Sequence, residues 1–195
     1  METLVKERSI SRLKSKPVPK LKTLKEYYRL ENKNESEFNL EFNHGVLEKK
    51  RKMMTLIQTY IYHNISELFF KSDIFKNGYR LFAEKEFQTA VNQVRIPDMV
   101  LLSTENVQLS IQGVNVIPNL IIEVVSEYDS LKKLEYKLIE YFNAGVKCVW
   151  AVIPDIELVY VYSSPKQVII YSETQMCTAK PAVDFEIVTE DIFKR

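Results

Sequence analysis

Pro118-Asn119-Leu120-Ile121-Ile122-Glu123-Val124-Val125 decides how the chain is read. Apolar residues fill both even and odd positions from Leu120 to Val125, the pattern of a central strand covered on both faces. Glu123 alone interrupts it, and a glutamate in such a strand is costly unless it is paired or coordinating. Downstream, Ser130 to Ala144 reads as a helix: Leu131, Leu134, Leu138, Tyr141 and Phe142 form one stripe, and Gly145 supplies the stop. Val146 to Ile153 is another buried strand, ended by Pro154-Asp155. Upstream, Ile96 to Ser103 and Tyr79 to Gln88 read as strands, with a turn region near Gly113.

Toward the N-terminus, Met53, Ile57, Ile61, Ile65, Leu68 and Phe69 recur at helical spacing, so Met53 to Lys71 is an amphipathic helix. Phe38 to Asn43 alternates strictly, with Phe38, Leu40 and Phe42 on the buried face and Glu41 on the other. His44-Gly45 then fits a tight hairpin turn into Val46 to Lys49. Thr23 to Leu30 fits a short helix capped by Thr23, with Glu26 completing a capping box. At the other end, Glu157 to Ser163 and Gln167 to Tyr171 form a hairpin or edge pair, and Ile192-Phe193 docks on the body. This order predicts an α/β sandwich with a mixed central β-sheet flanked by helices. Residues 23–195 make a single domain behind a basic, flexible leader over 1–22.

Composition excludes several classes. The 195 residues are 46% hydrophobic and 27% charged, ordinary values for a globular chain. Four glycines and the absence of GxGxxG and GxxxxGK[ST] argue against a Gly-rich phosphate cradle, and neither HExxH nor GxSxG occurs. Two histidines and two cysteines, Cys148 and Cys177, are too few for a His- or Cys-rich metal site, and both thiols are expected reduced. The net charge of +1 gives no overall pull toward nucleic acid, although residues 1–30 hold nine basic and three acidic residues. Neither a secretory signal nor a membrane span is visible, so a cytoplasmic protein is expected.

Asp98, at the start of one apolar strand, and Glu123, inside the next, can converge on a hard cation such as Mg²⁺, which takes oxygen ligands. Lys137 lies on the edge of the sheet-facing helical stripe, about 40° from Tyr141 at 100° per residue, and its ammonium can reach the sheet's end. A purely structural arrangement, an ion pair of Glu123 with Lys137 and Asp98 as a strand-start cap, accounts for the same residues.

Ile96-Pro97-Asp98-Met99-Val100, then Pro118 to Ser126, then Lys137 with Tyr141, Ala144-Gly145-Val146 and Trp150, resembles the Uma-two family within the PD-(D/E)xK nuclease superfamily. Glu26-Tyr27 resembles its opening helix, and Leu40-Glu41-Phe42-Asn43-His44-Gly45 its hairpin. The resemblance spans roughly Thr23 to Tyr162. It implies a restriction-endonuclease-like fold and a divalent metal, Mg²⁺ or Mn²⁺, held by Asp98, Glu123 and the Val124 carbonyl. Lys137 replaces the superfamily lysine, whose usual place two residues after the glutamate is Val125 here. Glu41 enters as a further carboxylate of the site, with an exposed strand glutamate as the alternative. His44, Met54 and Lys133 depart from the family pattern.

The expected function is therefore metal-dependent phosphodiester hydrolysis in nucleic acid, DNA by resemblance, with Lys49, Lys50, Arg51, Lys52 and the leader as candidates for backbone contact. A catalytically silent nucleic-acid- or protein-binding module is the alternative. A homodimer built on Leu158 to Tyr162 as an edge strand, with Tyr160 and Tyr162 exposed, is the third expectation.

Overall fold

Alternating side chains along one six-stranded sheet feed two apolar layers, and the chain segments that enter this sheet carry the candidate residues. The computed structural model describes residues 22–33, 38–51, 55–125 and 130–195. The expected leader, apart from Lys22, lies outside the described residues, as do Lys52, Met53, Met54 and Ser126.

In chain order the elements are α1 (Leu24–Glu31), β1 (Phe38–Asn43), β2 (Val46–Arg51), α2 (Leu56–Lys71), α3 (Asp73–Lys76), β3 (Arg80–Ala83), β4 (Phe87–Ala90) and β5 (Gln93–Arg95). They continue as β6 (Met99–Leu102), α4 (Thr104–Ile111), β7 (Leu120–Val124), α5 (Leu131–Ala144), β8 (Val149–Ile153) and β9 (Leu158–Ser164). The chain closes with β10 (Gln167–Tyr171), β11 (Met176–Thr178), β12 (Glu186–Val188) and α6 (Thr189–Phe193). The large sheet runs β10-β9-β8-β7-β6-β3, a smaller one runs β2-β1-β5-β4, and β11 pairs with β12. In the large sheet only β7 and β8 are parallel, joined by α5 as crossover.

One face of the large sheet places Met99, Leu101, Ile122, Trp150 and Val152 against Ile61, Ile65 and Phe69 of α2, together with Phe185 and Ile192. The other places Val100, Leu102, Ile121, Val149 and Ala151 against Leu134, Leu138 and Tyr141 of α5. This is the expected α/β sandwich with a mixed central sheet between helices, consistent with a restriction-endonuclease-like fold. Among the described residues, no helix is long and apolar enough to cross a membrane.

Local signals explain the helices. Thr23 and Glu26 form the expected capping box. Ser130 caps α5 rather than opening it, and Gly145 closes it at φ +107°. A second capping box, Thr55 with Gln58, starts α2. Two expectations are corrected. The strand expected over Tyr79 to Gln88 is two, because Glu84 takes φ +47° and donates its N–H to the Asp98 carbonyl, so β3 joins the large sheet and β4 the small one. Leu158 to Tyr162 is not an edge: β10 pairs along β9, Tyr162 is buried and Tyr160 half-buried. The edge on this side of the sheet is β10, with Val168, Ile169 and Ile170 exposed. The stretch after Leu102, which held no predicted helix, forms α4 on a Ser103 cap.

Candidate active site

Asp98 and Glu123 meet because of strand register. β6 and β7 are antiparallel with Met99 opposite Ile122, and one step further sets Asp98 opposite Glu123. Both carboxylates are buried, at 5% and 6% exposure, on the face that α5 covers. The Val124 N–H donates to Asp98 Oδ2 at 2.7 Å, fixing one oxygen. Ala151 lies beside Glu123 on β8, so small side-chain bulk adjoins the carboxylate.

Four further side chains close on this pair. Lys137 and Tyr141, one helical turn apart on α5, both donate to Glu123 Oε1, at 3.0 and 2.5 Å. Lys137 Nζ also stands 3.9 Å from Glu41 Oε1. Lys50 Nζ lies 2.9 Å from Asp98 Oδ1, donates to the Ile96 carbonyl at 2.6 Å, and is 3.7 Å from Glu84. Glu41 is buried rather than exposed, accepting from the Ile96 N–H at 3.0 Å. The site thus sits where the chain leaves the small sheet at β5 and enters the large one at β6.

Arg95 binds the surroundings together. The hairpin register sets Glu41 directly opposite Glu48, a like-charge pair that is unfavourable alone. Arg95 Nη1 reaches both, at 3.0 and 2.8 Å, while its Nε and Nη2 take Glu140 of α5 in a two-point contact at 2.6 and 2.9 Å. Arg95, Glu48 and Glu140 were not singled out from the sequence, whereas Glu41 was. The signal was present: a two-residue turn at His44-Gly45 fixes Glu41 opposite Glu48, which demands a cation between them. Lys50, expected on a nucleic-acid backbone, is instead half-buried against Asp98, and Lys49 is exposed over the Phe38 ring.

Electrostatics follow the geometry. Burial pushes the Glu123 carboxyl up; Lys137 opposes this and Asp98 adds to it, leaving a net rise. Burial also acts to raise Glu41, but Lys137 and Arg95 overcome it and hold Glu41 below the usual carboxylate range. Burial acts to lower Lys137, and Glu123, Glu41 and Asp98 outweigh it, so Lys137 stays a cation. Among the described residues, six acids, Glu41, Glu48, Glu84, Asp98, Glu123 and Glu140, face three bases, Lys50, Arg95 and Lys137, a formal excess of three negative charges.

Hard oxygen donors and an acidic excess suit a divalent cation that keeps several waters. Among the described residues no group of three or more His, Cys, Asp or Glu side chains is arranged to hold a metal. Asp98 and Glu123 are the two carboxylates that the strand register brings together.

A mixed sheet between helices with two buried acids and a lysine at the end of its central strands defines a nuclease-fold protein. The chain belongs to the Uma2 family, whose model, described as "Putative restriction endonuclease", matches residues 24–190. Its fold is shared by a crystal structure of a "putative nuclease belonging to DUF820" from Anabaena variabilis ATCC 29413, at a TM-score of 0.70 and 18% identity, covering 88% of this chain and 97% of that one. A search of curated proteins gives no match.

Proposed function

We propose that the chain is a divalent-metal-dependent nuclease hydrolysing phosphodiester bonds in DNA, with residues 23–195 acting as one unit. The observation that carries this reading is the pairing of Asp98 with Glu123 across adjacent strands, both buried, in a network with an acidic excess. Asp98, Glu123 and the Val124 carbonyl would hold Mg²⁺ or Mn²⁺. Such a cation supplies polarisation of the scissile phosphate and a lowered pKa for a coordinated water.

The rest falls to the chain's own side chains. Lys137 orients the attacking water or balances charge growing on the phosphate oxygens, from a position already fixed between Glu123 and Glu41. Tyr141 holds Glu123 Oε1 with its hydroxyl, and Glu41 anchors Lys137 from the hairpin side. Lys50 pairs with Asp98 Oδ1 in the free protein and would have to give up that oxygen for Asp98 to hold a cation. Arg95 positions Glu41.

One observation favours a silent binding module: Lys50 and Lys137 already pair with the two carboxylates, so the site is satisfied by its own cations. Cleavage separates the readings. Purified protein with Mg²⁺ or Mn²⁺ should nick supercoiled plasmid; Asp98→Asn should abolish nicking and Lys137→Met should lower it about 100-fold, both in proteins shown by circular dichroism to be folded at the assay temperature. Equal nicking by Asp98→Asn contradicts the site assignment. No nicking by the parent with either metal favours the silent module.

A further inference from the structure

Lys137 has a second surface. Besides facing Glu123, it lines an open cleft of about 410 Å³ between the first half of α5 and the β1–β2 hairpin. We propose that this cleft is a subsite for one unpaired nucleotide, so that the strand crossing the site is single-stranded DNA. The inference rests on the nucleic-acid reading of the site and deepens it by naming the substrate class.

Size comes first. A volume of about 410 Å³ is that of a small-ligand pocket. A base in a duplex is paired and stacked and must be extruded before it enters such a space, whereas an unpaired base enters directly. Charge comes second. Among the described residues, Lys132, Lys133, Lys137 and Arg95 line the cleft with Glu48 and Glu140, and Arg95 holds both of those acids within the wall. Lys132, which stands outside the carboxylate network that Arg95 and Lys137 belong to, adds positive charge in the cleft and draws a phosphodiester toward Asp98 and Glu123.

Tyr136 is the third element. Its ring lines the cleft at 56% exposure, and Lys132 Nζ stands 5.8 Å from the ring centroid. An exposed ring with an ammonium beside it offers the two things a nucleotide needs, a stacking face for any base and a charge for the adjoining phosphate. Tyr136 and Lys137 line the same cleft, so a base stacked on the ring leaves its phosphate within that cleft, toward the ammonium that faces Glu123.

Fluorescence anisotropy in the presence of a chelator tests this without requiring cleavage. The probes are a labelled oligodeoxythymidylate and a duplex of equal length, with the parent, Tyr136→Ala and Tyr136→Phe. The single strand should bind the parent more tightly than the duplex does; Tyr136→Ala should weaken it about tenfold and Tyr136→Phe should restore it, with duplex binding unchanged. Equal or tighter duplex binding, an unaffected Tyr136→Ala, or no binding of either probe overturns the proposal. A parent that prefers single strands yet never cleaves supports the subsite and defeats only the hydrolytic reading.

Discussion

Glu41 is a buried carboxylate kept ionised by its neighbours. Burial alone would raise its pKa, and Lys137 with Arg95 lowers it further than burial raises it. A folded-state pKa below the unfolded one contributes stability that is present above the unfolded value and lost as pH falls through the folded value. Glu41→Gln should therefore cost about 1–3 kcal/mol near neutral pH. The gap between parent and variant should close as pH drops below the ordinary carboxylate range, as denaturant unfolding at several pH values would reveal; a gap independent of pH would show that the charge on Glu41 contributes nothing. Sequence alternation put Glu41 opposite the apolar face, and the hairpin register asked for a cation beside it without saying which one. It is Arg95, 54 residues away, and no local pattern encodes that meeting.

At the scale of the element, α5 is the crossover that brings Lys137 and Tyr141 onto Glu123. Its limits were legible because Ser130 and Gly145 are chemically distinctive at helix ends. The Val146 N–H returns to the Tyr141 carbonyl at 3.1 Å and the Gly145 N–H to Phe142, so the cap holds the last turn on which Tyr141 sits. A Cβ at Gly145 would meet nothing closer than Ile117 Cγ2 at 4.0 Å, which leaves backbone conformation as the cost. Gly145→Ala should lower stability by about 1–2 kcal/mol from the positive φ, measured as a fall in the unfolding midpoint. An unchanged midpoint would mean that the turn relaxes freely. The division of Tyr79 to Gln88 between two sheets was not legible, because Glu84 adopts its positive φ to meet the Asp98 carbonyl, a contact made only in the folded chain.

At the scale of the whole molecule, two sheets meet at β5–β6 and α5 covers their junction, so Glu41 of β1, Asp98 just before β6 and Glu123 of β7 gather under one helix. Asp98, Glu123 and Lys137 were readable as an ordered set because each sits at a marked point of an apolar element. Lys50, Glu48 and Glu140 were not, since a basic or acidic residue on a strand or helix surface looks alike in sequence whether it faces water or another charge. The same arrangement carries the central claim, that Asp98 and Glu123 are the ligands of a divalent cation. Mn²⁺ titration of the parent, Asp98→Asn, Glu123→Gln and Lys50→Met, followed by electron paramagnetic resonance, tests it most directly. Binding by the parent should be lost in Asp98→Asn and Glu123→Gln, and strengthened about tenfold in Lys50→Met, where no ammonium competes for Asp98 Oδ1. Equal affinity across all four proteins, or none in any of them, would contradict it.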